Sequence, residues 1–286
     1  MTTDEPPTRP APLSAKLGAV PETALWTLYQ RAVEARRPDA LLDDPKAVEL
    51  VDRIGFPFAE LFGHSAVQAQ LQALRVGCFD REVADFLARE PRGTVVCLGE
   101  GLETQFWRVD NGRARWLSVD LPESVALREE LLPPGPRQRY LAADVTDLGW
   151  AEEVDRSHGV LVTAQGLLMY LRPPQVRDLI AGCAERFPGG SLVLDAVPHW
   201  FGRLTRSGRM RTHNYQAPPM PWAMDAGERH KLRTAGPAVA AVRDVRPTGG
   251  RGLVGALLPL ALAVPPLSTR RPSVTVLDFA ERPEGP

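Results

Sequence analysis

The sequence predicts an α/β protein: a doubly wound, mostly parallel sheet of seven strands preceded by a helical cap. Three observations predict it. Short apolar runs without polar alternation follow one another from residue 94 onward, helical stretches separate them, and residues 19–90 carry helical periodicity with no strand pattern. Continuous apolar runs suit strands covered by helices on both faces, and alternation of strand and helix is the pattern of a doubly wound sheet.

Each element has a local reason. Residues 1–18 are polar and proline-rich and predict a disordered tail, because little in them can be buried. From Glu22 to Arg37 the apolar residues Leu25, Leu28, Ala32 and Ala35 recur at helical spacing, and Pro38 stops the pattern. Asp44-Pro45 reads as an N-cap followed by proline in the first turn, opening a helix towards Ile54. A longer helix from about Ser65 to Arg89 completes the cap. Pro91-Arg92-Gly93 marks the change to the core, residues 91–286. Strands are expected at Thr94–Leu98, Trp116–Val119, Tyr140–Ala143, Gly159–Ala164 and, after the Pro188-Gly189-Gly190 turn, at Ser191–Asp195. Helices at Thr104–Arg108, Pro122–Leu131 and Pro173–Phe187 lie between them. Two late strands, about Ala238–Arg246 and Val274–Phe279, close the sheet with an antiparallel edge. A long stretch at about 198–236, rich in Arg, Pro and Met, is expected to be a lid over the site.

The 286 residues suffice for a sizeable core, and a formal net charge of -1 supplies no global basic field, so no nucleic-acid partner is expected. The three cysteines, Cys78, Cys97 and Cys183, are few and far apart, which argues for reduced thiols and against a metal site. The N-terminus has no apolar signal core. The most apolar stretch, Leu253 to Leu267, is interrupted by Pro259, Pro265 and Pro266 and is too short to cross a bilayer. A cytoplasmic protein without a membrane partner is expected.

In a doubly wound sheet, ligands bind beyond the carboxyl ends of the strands, where strand order reverses. The first expected strand ends in Gly99-Glu100-Gly101, where the chain turns sharply and a ligand can approach without meeting a Cβ. The second ends in Asp120, the third in Asp144 and the fourth in Gln165. A carboxylate at the second tip suits ribose hydroxyls, one at the third suits an adenine amino group, and each such bond is worth roughly 1.5–3 kcal/mol. Singly, each residue has a structural alternative: Gly-x-Gly makes a tight turn and Asp caps helices. In order, after successive strands, they describe a nucleoside site. The run Gly99 to Thr104 lacks the third glycine of a dinucleotide fingerprint, and no Gly-Lys-Ser/Thr phosphate loop occurs. A ligand without pyrophosphate follows, favouring an adenosine conjugate such as S-adenosylmethionine over NAD.

At these residues the chain resembles the leucine carboxyl methyltransferase superfamily, in particular its bacterial tetracenomycin polyketide O-methyltransferase-like branch. The matching segments are Glu22 to Leu25, Arg36 to Asp39, Leu42 to Pro45, Arg75 with Phe79-Asp80, Val95 to Phe106, Val119 to Glu123, Gln165 to Leu171, and Pro188-Gly189-Gly190 to Val197. The resemblance covers about residues 20–230. It implies a class I methyltransferase fold, Rossmann-like, with S-adenosyl-L-methionine as cofactor. It implies that Arg75 grips the methionine carboxylate, with Arg31 as a second contact, and that Gly99 and Gly101 line the back of the cofactor. Asp120, with Leu121, would take the ribose, Asp144 and Val145 the adenine, and Gln165 a position near the amino group.

The chain departs from the family pattern Leu-Gly-Cys-Gly-Leu-Asp-Thr-Arg, reading Leu98-Gly99-Glu100-Gly101-Leu102-Glu103-Thr104-Gln105, and it carries Gln165 where the family has Glu. Glu100 is a candidate to replace the missing charge beside the ammonium group. Tyr29, Tyr170, His199 and His213 are candidates on the acceptor side. The expected activity is O-methylation of a carboxyl or phenolic oxygen of a small, anionic or aromatic natural product in secondary metabolism. The altered motif keeps a second reading open: non-methylating chemistry of the same fold, such as cyclisation of the cofactor with release of methylthioadenosine, or another cyclase. A third is a non-catalytic binding member.

Overall fold

The computed structural model describes residues 22–282, so the tail expected over residues 1–18 lies outside the described residues. Five strands run parallel: β1 (Thr94–Leu98), β2 (Arg115–Asp120), β3 (Gln138–Ala142), β4 (Val160–Ala164) and β5 (Ser191–Ala196). A short hairpin, β6 (Arg211–Thr212) and β7 (Tyr215–Gln216), stands apart, and β8 (Val239–Val245) and β9 (Ser273–Phe279) complete the main sheet. Its order is β3-β2-β1-β4-β5-β9-β8. The chain steps outward from β1 to β3 and returns on the other side at β4, so the switch point lies between β1 and β4. β9 runs antiparallel to both β5 and β8, so the last strand in sequence sits between them and β8 forms the edge.

Four helices precede the sheet: α1 (Glu22–Ala35), α2 (Pro45–Ile54), α3 (Phe58–Phe62) and α4 (Ala66–Arg89). The Asp44 carboxylate caps α2 by accepting from Ala47 N at 3.0 Å, and Ser65 Oγ caps α4 by accepting from Gln68 N at 3.3 Å. Then come α5 (Gln105–Val109), α6 (Pro122–Leu131), α7 (Pro173–Arg186), α8 (His199–Arg206) and α9 (Gly252–Ala263). Every residue of β1 and β4 is buried. Alternate residues of β1 serve opposite faces, as the pleat requires. Val96 and Leu98 pack with Val176, Leu179 and Ile180 of α7, whereas Val95 and Cys97 pack with Phe79, Val83 and Phe86 of α4.

The expected lid over residues 198–236 is more ordered than a loop. It contains α8, the β6–β7 hairpin and a 3-10 stretch, Ala226–Ala235. Trp222 and Met224 belong to the main core. The hairpin reaches the cap: Tyr215 stacks on Trp26 at 6.4 Å between centroids and meets Phe62 edge-on at 5.3 Å, while Asn214 N donates to Leu61 O at 3.0 Å. With two residues per strand, the hairpin has no period to read from sequence. Among the described residues, no helix is long and apolar enough to cross a membrane.

Candidate active site

The tips of β1, β2 and β4 meet at the switch point. Gly99 and Gly101 adopt φ values of +59° and +52°, the left-handed region that side chains other than glycine's rarely enter. A Cβ on Gly99 would come within 2.7 Å of the Leu167 side chain in the turn after β4, so the glycine loop lies directly against that turn. Asp120 ties β2 to the same loop: one carboxylate oxygen accepts from Gly101 N and the other from Leu121 N, both at 2.8 Å. Burial raises the Asp120 carboxyl above its ordinary value, against the opposing effect of those amides. Leu121 is 51 % exposed beside it, Asp144 is exposed in a turn that accepts from Thr146 N at 2.8 Å, and Val145 is buried. Gly99, Gly101, Asp120 and Gln165 are each half-buried, forming the rim of one crevice. Contacts thus join the tips of β1, β2 and β4, whereas Asp144 bonds within its own turn.

Behind the loop lies a buried ionic network. Arg31, 1 % exposed, donates to Leu102 O at 2.7 Å and pairs with Asp44 at 3.1 Å and Glu103 at 3.1 Å. Its guanidinium serves the underside of the loop, which differs from the expectation of a contact to the cofactor's carboxylate. Arg128 of α6 donates to Gly101 O and Glu103 O, each at 2.8 Å, and pairs with Glu100 at 3.0 Å. Glu100 also accepts a short bond from Ser118 Oγ. Its side chain is 3 % exposed and turned inward, so it faces Arg128 rather than the crevice, in contrast to the ammonium-partner role expected. Burial raises its pKa despite Arg128.

Two departures from the family pattern, Gln105 and Gln165, are each supported by a neighbouring charged side chain. Arg108, one turn after Gln105, supplies the guanidinium that position 105 lacks: it pairs with Asp80, Asp44 and Glu103 at 2.7–2.8 Å, and Gln105 Nε2 donates to Asp80 at 2.8 Å. Residues three apart share a helix face, which is why the exchange works. Gln165 Nε2 donates to Glu103 at 2.8 Å, so the crevice-side amide is backed by a carboxylate. Burial alone would raise the Glu103 carboxyl, but Arg31 and Arg108 prevail and hold it at about 2.

At the tips of β4 and β5, Arg75 of α4 pairs with Asp195 at 2.6 Å, and the other oxygen of Asp195 accepts from Gly166 N at 2.7 Å. Asp195 was not singled out from sequence, although it lies next to the end of its strand as Asp120 ends β2. Arg75 Nε is buried and has no partner among the described residues, leaving a donor for a ligand anion. Tyr170 lies near this pair, and burial raises its phenol. Tyr215 is pushed up to about 12, again by burial.

The other acceptor-side candidates lie elsewhere. Tyr29 is buried in the cap, stacked on Phe58 at 5.5 Å, with its hydroxyl 3.0 Å from His64 Nδ1. His213 is exposed in the β6–β7 turn. His199 is exposed at the start of α8, its ring 2.6 Å from Glu228 and its backbone N donating to Asp225, so no contact joins it to the Arg75–Asp195 pair. It lines a separate concavity of about 530 Å³ with Trp200, Arg203, Asp225 and Arg270. A further hollow of about 320 Å³ lies at the opposite edge of the sheet, around Thr94, Arg115 and Gln138.

The residues present fit an S-adenosyl group: a left-handed glycine turn at Gly99 and Gly101, an acidic β2 tip, and a buried guanidinium N–H without a partner among the described residues. Comparison with known proteins agrees. A profile of the leucine carboxyl methyltransferase family matches residues 24–184. The chain is 31% identical over 196 residues to the tetracenomycin polyketide synthesis O-methyltransferase TcmP of Streptomyces glaucescens, covering 68% of this chain and 72% of that one. It is 29% identical over 181 residues to the S-adenosyl-L-methionine-dependent methyltransferase dpfgK of Gibberella zeae, covering 58% and 61%. Among solved structures, an O-methyltransferase family protein from Burkholderia thailandensis aligns with a TM-score of 0.43 and 16% identity over 87% of this chain and 74% of that one. With the family profile spanning more than half of its length, the chain belongs to the leucine carboxyl methyltransferase family and is an S-adenosylmethionine-dependent methyltransferase.

Proposed function

We propose that the chain methylates a carboxyl oxygen of a small natural product, with a phenolic oxygen as the second reading. One observation carries the preference for carboxyl: Glu103 and the phenols Tyr170 and Tyr215 are shifted away from neutrality, while Asp120, raised by burial, is engaged by the backbone amides of Gly101 and Leu121. Glu103 is held at about 2, Tyr215 is pushed up to about 12, and Tyr170 is also raised by burial. A carboxylate arrives already ionised, whereas a phenol of pKa about 10 gains from a base. The Tyr29–His64 pair in the cap favours the phenol reading, because it sets an imidazole within 3.0 Å of a buried hydroxyl.

S-Adenosylmethionine, when bound, supplies a methyl group on a sulfonium that an oxygen nucleophile can displace in line. Arg75 would hold its carboxylate, Gly99 and Gly101 its back, Asp120 and Leu121 its ribose side, and Asp144 and Val145 its adenine. Gln165, backed by Glu103, would face the amino group. The work left to the chain is to position both reactants and exclude water, which for well-oriented groups is worth about 7–11 kcal/mol. The likeness to the tetracenomycin enzyme supports a polyketide-type acceptor in secondary metabolism.

The test is to incubate the protein with S-adenosylmethionine and panels of carboxylic acids and phenols, following S-adenosylhomocysteine. Alkali-labile methyl esters and a turnover nearly independent of pH between 6.5 and 9 are expected. Ether products whose formation collapses in His64→Ala would establish the phenol reading. Methylthioadenosine released without an acceptor would replace both with cyclisation of the cofactor.

A further inference from the structure

The segment between β8 and β9 carries a feature that methyl transfer does not use. Residues 252–267 contain no polar side chain. They form α9 and the turn after it, and no residue of α9 is buried. Leu253 is 80 % exposed, and Leu257, Leu260 and Leu267 are more than half exposed. Soluble proteins rarely leave so continuous an apolar surface open unless something covers it. Its place in the fold is informative. β9 runs against β5, pairing Ser273 with Ala196, so the 246–272 connection leaves and re-enters the sheet at the edge of the strand tips that bear Asp120, Gln165 and Asp195.

Arginines flank this surface. Between Asp244 and Asp278 the chain has four arginines, Arg246, Arg251, Arg270 and Arg271, and no acidic residue. Arg251 pairs with Glu34, and Arg246 and Arg271 with Asp244, fastening both ends of the segment to the body and leaving Arg270 as the cation without a carboxylate partner among the described residues. Arg270 is exposed and lines the 530 Å³ concavity with the exposed Arg203, the two cations outnumbering the one carboxylate there, Asp225. Trp200, 45 % exposed, donates its indole N–H to Arg270 O at 3.1 Å. An exposed tryptophan and arginines at the foot of an apolar helix are what a bilayer interface selects.

We infer that α9 and its following turn dock on an anionic lipid surface, with Trp200, Arg203 and Arg270 at the headgroup level and the crevice mouth facing the membrane. A second copy of the chain is the weaker occupant. A twelve-residue helix is about 18 Å long, with a footprint on the order of 200 Å², far short of the ~800 Å² per partner of a stable interface. Lipid requires no matching shape, and it suits a helix without a polar face. The segment is too short to span, as its length indicates, but interfacial burial needs only about 5–10 Å of depth.

Co-sedimentation of the full chain with phosphatidylcholine vesicles, with and without phosphatidylglycerol, tests this. Binding is expected with phosphatidylglycerol and is expected to weaken in high salt. Leu253→Asp with Leu257→Asp should weaken it by about tenfold or more. Arg203→Gln with Arg270→Gln should do so by roughly tenfold. Both variants should keep the parent's affinity for S-adenosylmethionine, which reports an intact fold. Failure to sediment with either vesicle overturns the inference. So does binding that ignores phosphatidylglycerol and the arginines, or a dimer in sedimentation velocity that the leucine variant dissolves while vesicles bind nothing.

Discussion

The two walls of the crevice are held by different means. On the cofactor wall, residues 99–105 are gripped from below by Arg31, Arg108 and Arg128, through carbonyls and carboxylates that are almost wholly buried. On the wall proposed to face the acceptor, the cap and the 198–236 insertion meet through aromatic packing of Tyr215 on Trp26 and Phe62 and through Asn214, whose side chain donates to Glu60 O at 2.8 Å. The first wall is rigid by electrostatics and serves a ligand common to the family. The second is assembled from segments more than a hundred residues apart in sequence, and its side chains can change without disturbing the loop.

That contrast can be broken or sharpened by substitution. The largest effect is expected for Arg108→Ala, which strips Asp80 of its guanidinium partner and leaves Asp44 and Glu103 with Arg31 alone; removing one partner of a buried pair costs about 3–5 kcal/mol. Urea unfolding measures it, and a loss below about 1 kcal/mol would show that the network does not hold the loop. Next is pH. Because the folded Glu103 carboxyl is lowered to about 2, its contribution is fully present above the ordinary carboxyl value and is lost as pH falls from about 4.5 towards 2. The unfolding free energy of Glu103→Gln should therefore be lower at neutrality and less sensitive to acid, a difference on the order of 3 kcal/mol. Asp120→Asn should weaken S-adenosylmethionine binding by about 1.5–3 kcal/mol in calorimetry, with a smaller change in stability. The smallest effect belongs to the other wall: Asn214→Ala should cost about 0.5–1.5 kcal/mol and raise the acceptor KM while leaving cofactor affinity unchanged. If it moves both constants equally, the walls are not independent.

The same contrast decides what could be read in advance. Gly99, Gly101 and Asp120 stand at strand ends, where position along the chain fixes position in the sheet, and the expected strands agree with the observed ones to within two residues. The orientation of Glu100 was not legible, because it depends on a loop flanked by two left-handed glycines. Nor was the fate of Arg31, whose partner Glu103 lies far along the chain, although Arg108 replacing position 105 one turn later follows from helix geometry. The helical state of α9 was hidden by Pro259, Pro265 and Pro266, which interrupt the stretch without preventing a helix over Gly252–Ala263.

The reversed direction of β9 has a practical corollary. Its end, Phe279, emerges at the edge of the sheet opposite the strand tips, and the strand that follows the apolar helix carries the chain away from it. Ala280 is fastened there, donating to Ala238 O at 2.8 Å and accepting from Gly189 N at 3.2 Å. A bead or fluorophore tethered near Glu281 would therefore grip the molecule by its base, leaving substrate entry unobstructed for immobilised assays.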